Sequence, residues 1–111
     1  MEVYIIGYSW CKHFQNAIEK LNAVFKSVHS VKIMSDTPNR MLIRQTTAKI
    51  VGTHTCIGSP ASTSPQILVC TDNSVVCIPG EEELMYIGPE NVSAFVHRAC
   101  SEARAVLVHR A

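Results

Sequence analysis

The stretch Glu2-Val3-Tyr4-Ile5-Ile6-Gly7-Tyr8-Ser9-Trp10-Cys11-Lys12-His13-Phe14 decides how the rest of the chain is read. Residues 2–7 are β-branched and aromatic, few in number, and stopped by glycine, the pattern of a buried strand. From Phe14 onward the spacing changes. Phe14, Ala17, Ile18, Leu21, Val24, Phe25 and Val28 recur at steps of three and four, with Gln15, Asn16, Glu19, Lys20 and Lys26 between them. That spacing predicts an amphipathic helix with one face in the core. Cys11 therefore falls where a strand hands over to a helix. Free backbone N–H groups at a helix start favour negative charge, so the position predicts a thiol whose pKa is lowered toward the thiolate. Lys12 and His13 add positive or polarisable character, and Trp10 covers one side of the sulfur. The plain alternative is a cysteine that packs at a helix end between two solvated polar neighbours.

Outward from that junction, Val31-Lys32-Ile33-Met34 reads as a second strand. Ser35-Asp36-Thr37-Pro38 supplies a cap residue and a first-turn proline for a second helix. Its weaker stripe, Ile43, Thr47, Ile50 and Val51, is closed by Gly52. Residues 53–65 are rich in Gly, Ser, Thr and Pro and read as one long loop, and long loops often carry function. Gln66–Cys70 and Ser74–Ile78 flank Thr71-Asp72-Asn73 as a hairpin. Pro79-Gly80 with Glu81, Glu82 and Glu83 reads as a solvated turn. Gly88-Pro89-Glu90-Asn91 opens a last helix, whose stripe is Val92, Phe95, Val96, Ala99, Cys100, Ala103, Val106 and Leu107. The predicted order over residues 1–111 is β-α-β-α-β-β-α, a single α/β domain. Strands joined through a helix run parallel and a hairpin runs antiparallel, so the expectation is a mixed four-stranded sheet with helices on both faces.

A length of 111 residues gives room for one core and none for a second catalytic domain. With 47% hydrophobic residues the chain is not intrinsically disordered. A net charge of +1 argues against a dedicated nucleic-acid binder. No apolar run approaches the roughly 20 residues of a membrane span, and Met1-Glu2-Val3 does not open like a signal peptide. The expectation is a cytoplasmic protein with neither nucleic-acid nor membrane partners. Five cysteines (Cys11, Cys56, Cys70, Cys77 and Cys100) without a C-x-x-C pair make a poor disulfide framework and fit a reducing compartment. Cys70, Cys77 and Cys100 fall within apolar patterns and read as small buried hydrophobes. Cys11-x-His13 and His54-x-Cys56 offer ligand types that suit zinc, but the usual C-x2-4-C spacing is missing and positions i and i+2 of a helix diverge, so no metal is expected. The same divergence weighs against Cys11 and His13 as a hydrolytic nucleophile and base. No acidic residue near in sequence is placed to orient the histidine. His29, His97 and His109 are isolated and read as solvated or locally bonded.

Ser9-Trp10-Cys11-Lys12-His13-Phe14 resembles the W-C-x-H-C segment of the thioredoxin and glutaredoxin superfamily, with Phe14 where the second cysteine normally lies. Thr63-Ser64-Pro65-Gln66-Ile67 resembles that superfamily's T-[VS]-P-x-[IVF] segment, whose proline follows a cis peptide bond and faces the active-site sulfur. The predicted order lacks the extra N-terminal strand and helix of full thioredoxins, so glutaredoxin is the nearer branch. The resemblance implies a thioredoxin-like fold of glutaredoxin size and a thiol–disulfide oxidoreductase acting on protein disulfides or glutathione mixed disulfides, with glutathione as co-substrate. It implies Cys11 as nucleophile with Lys12 and His13 beside the thiolate. Tyr8 and Trp10 would be the shoulders of the cleft, and Ser64 and Pro65 a platform on which an extended peptide or glutathione pairs. Cys56 is read as a candidate resolving cysteine, because in that fold the loop before the proline runs past the start of the first helix. Several features depart from the pattern. No cysteine stands three positions after Cys11, the C-G-F-S sequence and the lysine three residues before the cysteine are absent, and Pro79-Gly80-Glu81-Glu82 stands where many members carry G-G. The competing reading is a binding module that lost turnover with its second cysteine and grips a partner peptide through the same groove.

Overall fold

The strand expected at the start of the chain is β1 (Glu2–Tyr8), and it lies inside a five-stranded sheet in a computed structural model that describes the backbone of residues 1–110 and the side chains of residues 1–105. Val106, Leu107 and His109 lie outside the residues whose side chains are described. After β1 come α1 (Lys12–Asn22), β2 (Val28–Ile33), α2 (Arg40–Val51), β3 (Thr55–Ile57), β4 (Gln66–Cys70) and β5 (Ser74–Ile78). The chain closes with α3 (Glu81–Ile87), a 3-10 turn (Pro89–Asn91) and α4 (Val92–Arg110). The strand order is β2-β1-β4-β5-β3. β1 and β2 are parallel, β4 runs antiparallel to β1 and β5, and β3 is parallel to β5.

Alternation along the central strands makes two cores. Val3 and Ile5 of β1, Ile67 and Val69 of β4, and Val76 and Ile78 of β5 pack with Phe14, Ala17 and Leu21 of α1, Leu84 of α3, and Val92 and Val96 of α4. Ile6, Tyr8, Ile33, Leu68, Val75 and Cys77 point to the other face and pack with Ile43 of α2. Near-continuous apolar runs such as 67–70 are what a strand covered on both faces requires. Among the described residues no helix is long and apolar enough to cross a membrane.

The mixed sheet with helices on both faces is present, but it has five strands rather than four. Thr55-Cys56-Ile57, expected to be loop, pairs with β5 as its edge partner. Three residues carry no readable periodicity; they are a strand because the open edge of β5 offers backbone partners. The expected turn at Glu81-Glu82-Glu83 is the start of α3, where three carboxylates at a helix N-terminus are favourably placed. Only Leu84 of this helix is buried, too little for a stripe to show. The first apolar stripe runs past its helix. α1 ends at Asn22, and Val24 and Phe25 turn back to donate to the Leu21 carbonyl. Phe25 and Val28 still pack against the core, so the stripe continues without the helix. The cap of α2 is Asn39, whose side chain accepts from the Leu42 N–H at 3.1 Å, so Pro38 precedes the helix instead of opening it.

Gly7 shares the face of Val3 and Ile5, where α1 presses on the sheet. A Cβ there would collide with the Phe14 ring and the Ser64 hydroxyl. Neither neighbour has room to yield: Phe14 is 1% exposed, and the Ser64 hydroxyl is held by the Tyr8 N–H. Gly7→Ala is expected to cost about 1–3 kcal/mol of stability through overpacking. Urea unfolding should show a lower midpoint at unchanged slope; an unaltered midpoint would show that the contact is looser than described.

Candidate functional site

Cys11 follows the C-terminal end of β1 and is the N-cap of α1. Its N–H donates to the Tyr8 carbonyl at 3.0 Å, and its own carbonyl accepts from Gln15 at 3.1 Å, so the turn from strand to helix is closed by backbone bonds. No side chain caps the free N–H groups of the first turn, and no acidic residue stands in it. Cys11 is half-buried and touches both cores. Its thiol points at the Ser64 carbonyl, 3.9 Å away.

Ser64 arrives there because the β1–β4 register carries it. Ile6 pairs with Gln66, so the next places bring Gly7 beside Pro65 and Tyr8 beside Ser64. The Ser64 hydroxyl accepts from the Tyr8 N–H at 3.2 Å. The Ser64–Pro65 peptide bond is cis, and Pro65 is buried. The preceding loop is held from beneath by Gln66, a fully buried polar side chain that accepts from the Ala61 N–H and donates to the Ile67 carbonyl at 2.9 Å. A buried amide is tolerated only with such partners, and sequence reasoning assigned Gln66 no role.

The aromatic pair divides its work differently from the expectation. Tyr8 and Trp10 stack with ring centroids 4.8 Å apart and planes within 2°. Tyr8, however, is 3% exposed and sits in the core of the α2 face, where its hydroxyl accepts from the Asn39 N–H at the α2 cap. It supports the site and presents no surface to a ligand. Trp10 does: it is 49% exposed, with its indole N–H anchored on the Ser35 carbonyl at 2.6 Å. Lys12 is exposed on the first turn of α1. His13 turns to α3, where its Nδ1 lies 3.2 Å from Glu81 Oε1. Glu81 is thus the acidic partner that the sequence around His13 lacks; it comes from a distant element read as solvated turn. The imidazole and the Cys11 thiol engage different partners.

Cys56 is not brought to Cys11. It stands opposite Val75, Val75 opposite Cys70, and Cys70 opposite Glu2, so Cys56 is level with the start of β1 while Cys11 follows its end. Three strand spacings of about 4.8 Å across the sheet and six residue steps of about 3.3 Å along it separate the two places, far beyond the ~7 Å between Cα atoms that a disulfide spans. The expectation failed because residues 55–57 are fixed to the far edge of the sheet as β3. The sulfur that Cys56 does meet is that of Cys77, at 3.3 Å. His54 bonds the Val51 carbonyl at the end of α2. Among the described residues no group of three or more His, Cys, Asp or Glu is arranged to hold a metal ion.

Comparison of the chain with protein families, curated proteins and solved structures gives no match.

Burial, and then the hydrogen bond that the Cys77 thiol makes with Cys56, push the Cys77 thiol up to about 12. The unfolded chain releases this proton near the ordinary thiol value of 9.0. Between those values the folded state holds more protons than the unfolded state, so stability falls as pH rises. Burial raises Cys70 as well, and Tyr4 is raised by its bond to Glu2, in the same direction. The urea midpoint should therefore drop from pH 8 to pH 10.5 (about the middle of that window), and drop less in Cys77→Ala. Equal drops in the two proteins would show that Cys77 does not carry the effect.

Proposed function

We propose that this chain is a glutaredoxin-like thiol–disulfide oxidoreductase with a thioredoxin-like fold, working through Cys11 as a single-cysteine enzyme. The observation that carries the reading is the meeting of the Cys11 thiol, at the start of α1, with the Ser64 carbonyl beside cis-Pro65. The two segments whose resemblance suggested the family are far apart in sequence, and they face each other in space. The strand order β2-β1-β4-β5, with α1 and α4 on one face and α2 on the other, supports the same reading.

The Cys11 thiolate attacks one sulfur of a mixed disulfide between glutathione and a protein. The S–S bond breaks, the protein thiolate leaves and takes up a proton, and Cys11 carries the glutathionyl group. A second glutathione thiolate then attacks that group's sulfur, releasing glutathione disulfide and restoring the Cys11 thiolate. Trp10 provides an exposed aromatic wall beside the sulfur. The backbone at Ser64 offers hydrogen-bond partners to an extended substrate: among the described residues no backbone bond engages its N–H. Phe14, at the position of the usual second cysteine, is buried with its ring against Gly7 and supplies no thiol, so in this reading a second glutathione resolves the mixed disulfide.

The purified protein should reduce a glutathione mixed disulfide in the presence of glutathione. Cys11→Ser should lower that rate by about 100-fold or more, whereas Cys56→Ser should retain it, because Cys56 lies across the sheet. No turnover by the unaltered protein, together with Cys11-independent binding of an extended peptide, would favour the binding-module reading instead.

A further inference from the structure

Cys56 and Cys77 bring two nucleophilic side chains together outside the site just described. Cys56 is exposed on β3, Cys77 is buried on β5, and their sulfurs are 3.3 Å apart, with one thiol donating to the other. A disulfide has a bond of about 2.05 Å, so the sulfurs must approach by little more than an ångström. Cys77 stands two places beyond Val75, the partner of Cys56, so strand spacing and rise put the Cα atoms of this diagonal pair about 8 Å apart, and β3 must shift along β5 by about an ångström to bring them within the ~7 Å that a disulfide spans. The element that must move is suited to it. β3 has three residues, lies at the edge of the sheet, and among the described residues pairs with β5 alone. Gly58, just after it, takes φ +88°, and a Cβ there would lie 3.2 Å from the Cys77 carbonyl oxygen, so the end of β3 passes close to Cys77.

We propose that Cys56 and Cys77 are a second thiol centre, separate from Cys11, which glutathione disulfide converts into an intramolecular disulfide joining β3 to β5. The exposed Cys56 thiolate attacks a sulfur of glutathione disulfide. That S–S bond breaks, and one glutathione leaves as thiolate while Cys56 becomes a mixed disulfide. The Cys77 sulfur then attacks the Cys56 sulfur, its proton passing to the second departing glutathione. Two protein thiols are oxidised by two electrons, and one glutathione disulfide is reduced to two glutathione thiols. The buried sulfur needs no access of its own to the oxidant, because the exposed one delivers the disulfide to it. Proximity makes the second step intramolecular, which favours it over escape of the mixed disulfide. The raised pKa of Cys77 fits this order of events: Cys77 waits as a thiol and Cys56 meets the oxidant first. The ring of chain so closed, from Cys56 to Cys77, contains Ser64 and Pro65.

The test uses Cys11→Ser protein, so that failure here is distinct from failure of the role proposed for Cys11. Treated with glutathione disulfide and digested without reduction, it should yield a Cys56–Cys77 linked peptide in a monomer lighter by two hydrogen atoms than the reduced chain. Cys77→Ser in the same background should stop at the first step, with one glutathione retained on Cys56. The same peptide map on the unaltered protein must contain the same link, so misfolding of a variant cannot decide the outcome. A lasting glutathione adduct on Cys56 with Cys77 free would overturn the proposal. So would a link from either residue to Cys70, a dimer joined through Cys56, or no reaction at this pair.

Discussion

A missing side chain holds the site together. At Gly7 the backbone of β1 is bare, and the Phe14 ring from α1 and the Ser64 hydroxyl from the loop before β4 both close on it. Because Phe14 can seat so deeply, the first turn of α1 lies low over the end of β1, and Cys11 is placed at the rim of both cores. Because Ser64 can approach, its hydroxyl takes the Tyr8 N–H and its carbonyl remains beside the Cys11 thiol. One absent Cβ thus serves core packing and site geometry together, which is a reason for glycine that owes nothing to a left-handed backbone.

Polar groups fix the parts that apolar packing leaves loose. Tyr8 ties the end of β1 to the cap of α2 through its hydroxyl, and Trp10 ties the β1–α1 turn to the Ser35 carbonyl after β2. Gln66 secures the approach to Pro65 from below. His13 and Glu81 join α1 to α3 at the surface. These bonds link segments distant in sequence around one end of the sheet, so the residues near Cys11 are pre-positioned rather than gathered by a ligand. Such preorganisation lowers the entropic cost of binding whatever the site receives.

How far these features were legible in the chain depends on whether their cause is local. β1, β4 and β5 carry runs of buried apolar residues and read correctly, and Gly52 after Val51 marks the end of α2 as expected. The Cys11 junction and the Thr63–Ile67 segment were visible because each is a short motif with its own residue types. Four things were not visible. β3 exists only by pairing with a strand almost twenty residues later, and α3 buries one leucine. Tyr8 was read as a cleft wall, although its partner, the Asn39 N–H, lies thirty-one residues away. The Cys56–Cys77 contact follows from the register of the edge strand, so neither cysteine announces it; Cys77 looked like a small apolar residue because by burial it is one.

Trp10 gives the molecule an optical property of its own. It is the sole tryptophan of the chain, and it sits next to Cys11 with one face stacked on Tyr8 and its indole N–H fixed. Its emission therefore originates from one place and one orientation. Sulfur–sulfur bonds quench a neighbouring excited indole, so any disulfide formed on Cys11 is reported as a change in fluorescence, without a label. Cys56 and Cys77 lie toward the opposite edge of the sheet, where their oxidation leaves this chromophore largely undisturbed. Thiol oxidation at the two places is in this sense spectroscopically separable, luminous at Cys11 and dark at Cys56 and Cys77.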